Sequence, residues 1–177
     1  MLDIEHMDKK AVYENMLALL YAVNAGQLRL GSQLGEIYSS LHKTGEFIEL
    51  ITKLNEDSGR YEAKKLRETL DIEGTDIDSI IGILKHSHWF VFEDIQVTKL
   101  SDKRFIMKTA DCTSQKASKR RGIEIKDCTG GANLSCRRGF FREINGSAQV
   151  KRVFAPPEQD PSGPDSNISC AWEITID

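Results

Sequence analysis

Cysteine and proline are missing from most of this chain, since all four of each lie beyond residue 111. That absence confines thiol nucleophilicity, soft metal ligation and thiol redox chemistry to the C-terminal part. Even there no CxxC pair occurs, the spacing that makes a zinc or cluster site persuasive, so metal ligands would have to be gathered by the fold. No histidine follows His88, and a nucleophilic cysteine has no imidazole base unless His86 or His88 folds back onto it. Apolar runs are short, none approaching the ~18 residues that a membrane span needs. The first six residues hold two acids and no basic stretch, unlike a secretory leader. These absences predict a cytoplasmic, non-membrane protein whose cysteines are thiols or ligands and not disulfides.

What is present divides by charge. Residues 1–98 hold 10 Lys and Arg against 17 Asp and Glu, residues 99–152 hold 14 against 5, and residues 153–177 hold none against 5. A basic middle can meet phosphates, a small anion, or an acidic part of the same protein or its twin. It can equally be a solvated face neutralised internally. Hydrophobic residues at 40% and charged residues at 29% are those of a globular chain able to bury a core.

Apolar residues at helical spacing predict a helix over 8–24, capped by Asp8 and stopped at Gly26. A second is expected over about 27–41, with Gly31 and Gly35 forming a seam for close packing, and a third piece over 47–54. Further helices are expected over 58–70 and from Asp76 to 84, separated by the break Asp71–Gly74. From Trp89 to Val97 the aromatic and β-branched residues read as a strand, 101–104 as a turn and 105–109 as its hairpin partner. A short basic helix over 113–121, a helix over 133–144, and strands over 150–154 and 168–176 complete the pattern. The prolines at 156, 157, 161 and 164 stiffen the connection between the last two strands. The fold class is therefore α+β: a helical N-terminal part, then a roughly four-stranded antiparallel sheet with two inserted helices. We expect residues 1–87 to be a helical packing or dimerisation region and 88–177 an α+β cysteine-containing domain.

Cys112 has the most reactive setting. It precedes a predicted helix N-terminus, where backbone N–H groups favour a thiolate, and Lys116, Lys119, Arg120 and Arg121 follow. Cys136, followed by Arg137 and Arg138, is expected to gain in the same way. A lowered thiol pKa suits a nucleophile, a metal ligand or a redox sensor alike. The plain alternative is that the cysteines are buried structural thiols, packing as small hydrophobes. Trp89–Phe92 can stack on a flat ligand or form a buried strand. His86 and His88 are boundary residues or ligands. Asp111, Asp127 and Glu173, close to the cysteines, oppose thiol ionisation unless a cation intervenes.

Gly59–Lys65, Ile72–Gly74, His88–Phe90, Thr109–Lys116, Arg121–Gly122, Ala155–Pro157 and Cys170–Glu173 together resemble a family of uncharacterised cytosolic bacterial and archaeal proteins, a domain of unknown function. The C-terminal part is similar in pattern, more faintly, to aminothiazoline-carboxylate hydrolase-like and vinyl-reductase-type ligand-binding domains. The resemblance implies that Cys112, Gln115, Cys128 and Cys170 occupy motif positions, whereas Cys136 does not. It also implies a departure, with Arg152 and Ala155 standing where that family often has cysteines.

The leading functional expectation is a small-ligand pocket lined by Cys112, Cys128 and Cys170, with Gln115 as polar anchor and Arg120 attracting a small anion. The same three cysteines could hold zinc or iron. An alternative is a cysteine-dependent hydrolase with Cys112 as nucleophile. Another is a winged-helix-like nucleic-acid regulator, disfavoured because its reading helix carries Asp76 and Asp78 and a single base, Lys85. A homodimer through the N-terminal helices is compatible with each.

Overall fold

Helix α1 (Lys9–Ser40) runs for 32 residues through Gly26, which the sequence reading had placed as a stop. Nothing lies within 4 Å of a Cβ placed there, and one exposed glycine costs a helix only about 1 kcal/mol. The computed structural model describes residues 8–120, 132–155 and 168–177. Asp8 stands at the α1 N-cap position without a side-chain hydrogen bond. The helix ends where the Lys43 and His42 N–H groups return to the Tyr38 and Ser39 carbonyls, at 2.8 and 3.0 Å, with His42 left-handed at φ 57°.

Helix α2 (Thr44–Leu70) joins two pieces that were expected separately, 47–54 and 58–70, and ends at a second left-handed residue, Asp71. The Asp71–Gly74 break follows as expected. Asp76 then caps α3 (Ile77–Leu84), its carboxylate accepting the Ser79 N–H at 2.8 Å. The chain groups into two compact units, Met1–Ile48 and Glu49–Asp177. The boundary expected at 87/88 falls inside the second unit, whose core draws Ala63, Ile77, Ile80, Ile83 and Leu84 from before it.

One expected strand segment is a helix. Residues His88–Phe92 form α4, and β1 (Asp94–Ser101) starts only afterwards. The β-preferring aromatic run is overridden because the Glu62 carboxylate accepts the His88 N–H at 2.7 Å, fixing the first turn. Winding the chain there also delivers Trp89 to the core, 5.3 Å from the Phe140 ring centroid. The remaining elements match expectation: β2 (Arg104–Asp111), α5 (Thr113–Arg120), α6 (Ala132–Ile144), β3 (Gln149–Phe154) and β4 (Cys170–Thr175). The four strands form one antiparallel sheet in the order β1-β2-β4-β3, with the register interrupted once between β3 and β4 and twice between β1 and β2.

Two glycines set the approach of α6 to α2. A Cβ at Gly59 would fall far inside contact with the Cys136 carbonyl oxygen, and one at Gly139 would do the same to the Glu56 carbonyl. In both cases the obstacle is backbone, which cannot swing aside. Arg67 ties the same two helices at their other end, its guanidinium donating to the Ile72, Glu73 and Glu143 carbonyls. Gly59→Ala or Gly139→Ala should each destabilise the fold by about 3 kcal/mol or more. A urea midpoint shifted far below that of the parent chain is the expected outcome; an unchanged midpoint would mean that the helices do not cross this closely.

Candidate functional site

Strand pairing orders the side chains on the covered face of the sheet into rows. Phe105, Ile174 and Val150 form one row, Met107, Trp172 and Arg152 the next, and Ile95, Thr109 and Cys170 the last. The face therefore begins apolar and ends polar. Thr109 is fully buried, and its hydroxyl has no hydrogen-bond partner among the described residues. Cys170, opposite it, is also buried, and its Sγ accepts the Trp172 indole N–H at 3.3 Å. Such a thiol is a packed, partnered group.

The strands lead this polar end to the β2–α5 corner. Beyond the last paired row, Ser169 donates its N–H to the Thr109 carbonyl at 2.7 Å and its hydroxyl to the Ala110 carbonyl at 3.2 Å. The start of β4 thus follows the end of β2 toward Cys112. Cys112 is partly buried and immediately precedes α5, its carbonyl accepting the Lys116 N–H. The sequence reading offered the helix N–H groups to a Cys112 thiolate. The Thr113 N–H and hydroxyl instead both donate to Glu93 Oε1, each at 3.2 Å. Gln115 is partly buried within α5 and Arg120 is exposed at its last residue. Cys112 and Cys170 thus lie at one end of the sheet, while Cys128 lies outside the described residues.

Arg137 brings positive charge into the interior. It is buried, with its guanidinium between two indoles, 5.1 Å from Trp89 and 4.8 Å from Trp172. A desolvated cation on an aromatic face gains about 2 kcal/mol per contact. The His88 ring also lies against Trp89, at 4.3 Å between centroids, and the His88 Nδ1 meets Glu62 Oε2 at 2.6 Å. Glu62 therefore holds both the backbone and the ring of His88, which leaves Nε2 as the other nitrogen of an oriented imidazole.

Cys136 corrects an expectation. Its thiol is pushed up to about 12 from an ordinary 9.0, first by burial and then by the Glu62 carboxylate, against a smaller opposing effect of Arg137. The arginines that follow it in sequence do not activate it, because the buried face of α6 withdraws it from water.

Sequence reasoning missed Glu62, Glu93, Thr109 and Arg137 as members of this constellation. Thr109 and Glu62 are within reach of a motif, Thr109 at the head of the Thr109–Lys116 stretch and Glu62 inside Gly59–Lys65. The others are joined by tertiary packing across 20 to 75 residues of chain, with no local signal. Among the described residues there is no group of three or more His, Cys, Asp or Glu side chains arranged to hold a metal ion. Nor do they form a helix long and apolar enough to cross a membrane. Within the winged-helix order, α3 buries Ile77, Ile80, Ile83 and Leu84, and β2 pairs with both β1 and β4. Lys99 is held by Asp78 and Asp102 at 2.9 and 3.0 Å.

A family model described as a family of unknown function (DUF6125) matches residues 44–176, from the start of α2 through β4. No curated protein matches the chain.

The Cys136 thiol gives a pH signature. Between pH 9 and about 12 the unfolded chain loses this proton while the folded chain keeps it, so stability should fall as pH rises through that window. Cys136→Ala should flatten the decline in urea-unfolding free energy measured across the same range. An equally steep decline in the variant would show that other groups cause it.

Proposed function

We propose a function for a chain that belongs to the DUF6125 family of unknown function: it holds a small anionic ligand at the polar end of its sheet, beside Cys112 and Cys170. The observation that carries this reading is the Thr109 hydroxyl, fully buried and without a partner among the described residues. Leaving a buried hydroxyl unsatisfied costs about 1–3 kcal/mol, which a ligand accepting or donating one hydrogen bond would offset. Arg152, opposite Trp172 on the same face, and the stacked Arg137 give this end of the sheet the charge that favours an anion. Gln115 and Arg120 on α5 would serve as polar anchor and electrostatic guide, and Cys128 would complete the thiol lining.

A second reading is a thiol hydrolase, supported by the Glu62–His88 pair, which would serve as the base and its orienting group if a thiol came within reach of Nε2. Cys112 is the candidate nucleophile in that case, since Cys136 stays protonated at neutral pH. Zinc or iron on Cys112, Cys128 and Cys170 is the third occupant to consider, and metal content by mass spectrometry on protein purified without an affinity metal separates it from both.

The ligand site has a built-in reporter, because the two tryptophans of the chain are the residues on either side of Arg137. We expect small planar carboxylates, benzoate and aminothiazoline carboxylate among them, to alter tryptophan fluorescence saturably. Thr109→Val should weaken that capture about tenfold while raising unliganded stability by about 1 kcal/mol. A variant that is destabilised and binds these probes as the parent does would sink the proposal. Selective, rapid alkylation of Cys112 by iodoacetamide near neutral pH, abolished by His88→Ala, would favour the hydrolase instead.

A further inference from the structure

We infer that α1 is one half of a coiled-coil seam whose other half is α1 of a second copy of this chain. The helix carries apolar residues at the alternating four- and three-residue steps of a heptad over Val12, Met16, Leu19 and Val23, and every seven residues thereafter at Leu30 and Ile37, with Gly26 and Gln33 at the intervening positions. Met16, Val23, Leu30 and Ile37 recur every seven residues, and Leu19 fills the intervening position. These five are between 50% and 64% exposed, and none of the described side chains of α1 belongs to the buried core.

The intramolecular contact of α1 leaves this stripe open. Phe47 packs on the helix near its C-terminus, 3.3 Å from a Cβ placed on Gly35 and 5.6 Å from the Tyr38 ring between centroids. On a 100°-per-residue helix, Gly35 and Tyr38 project away from the Met16–Ile37 stripe. Gly31 and Gly35, read from sequence as a seam for a second helix, therefore divide: Gly35 receives Phe47, and Gly31 meets nothing within 4 Å.

Three observations select a second copy as the occupant. From Val12 to Ile37 the seam positions carry no charge, Lys9 holding the repeat position only in the first turn, so identical seams do not repel over that length, and the flanks supply only Arg29 and Glu36, too few to encode a different partner. The stripe residues Met16, Leu19, Val23, Leu30 and Ile37 are each at least half exposed, so the stripe is open to the matching stripe of a second helix. A membrane surface is a poorer match, because helices that lie on lipid are rich in Lys and Arg on the polar face, and α1 has only Lys9, Lys10 and Arg29. The residues that match the family model begin at 44, so this seam lies outside the part that defines the family.

The test uses the full chain at micromolar concentration, by size exclusion coupled to light scattering. The expected mass is twice the 19.9 kDa of one chain. The double substitution Leu19→Glu, Leu30→Glu should reduce it to a single chain while leaving tryptophan emission unchanged, since Trp89 and Trp172 both report on the second unit. A parent chain that is monomeric throughout, or a double variant that remains a dimer, would overturn the inference. Partition of a monomeric parent onto phosphatidylserine vesicles would overturn it in favour of a lipid surface.

Discussion

Everything at the candidate site depends on how near α6 can come to α2. With any side chain at Gly59 or Gly139 the two backbones would separate, and α6 would lift from the sheet it covers. Arg137 would leave the space between Trp89 and Trp172, and Cys136 would return toward water. A steric condition on two residues without side chains thus decides the electrostatics of a region formed by four separate elements. The same crossing sets Glu62 beside Cys136, so one carboxylate orients His88 and holds a neighbouring thiol protonated.

The covered face of the sheet has unequal ends. Phe105, Ile174 and Val150 contribute through burial of apolar surface, whereas Thr109, Cys170 and Arg137 place polar or charged atoms where apolar ones would be more stabilising. A fold under selection for stability alone would fill that end with Val and Leu. Arg137 recovers part of its desolvation through two indole faces, and Cys170 through one indole N–H. The Thr109 hydroxyl, like that of Ser87 between α3 and α4, has no partner among the described residues.

The helices other than α4 and three of the four strands are legible because their signals are local. Asp76 at the start of α3, the 101–104 turn and the apolar spacing of α6 act within a few residues of themselves. The reading failed where a distant group decided the outcome. Trp89–Phe92 has the composition of a strand, and only the Glu62 carboxylate, 26 residues upstream, makes it helical. Cys136 looks activated beside two arginines until packing buries it. Gly26 reads as a stop because glycine disfavours helix, yet a single exposed glycine does not outweigh the turns on either side. Cys112 and Cys170 were recognised as soft groups from their residue types. Their meeting at one end of the sheet follows from the β2–β4 pairing, which no local pattern announces.

The strand order leaves β1 and β3 as the two edges of the sheet, and the register irregularities fall on the ladders that bind those edges to the centre. Irregular edges that also carry Lys99 and Lys151 are poor templates for another chain's strand, since the lysines charge the rim and the interrupted ladder offers no continuous run of donors and acceptors. Fibre-like growth by strand addition is thereby discouraged at both margins.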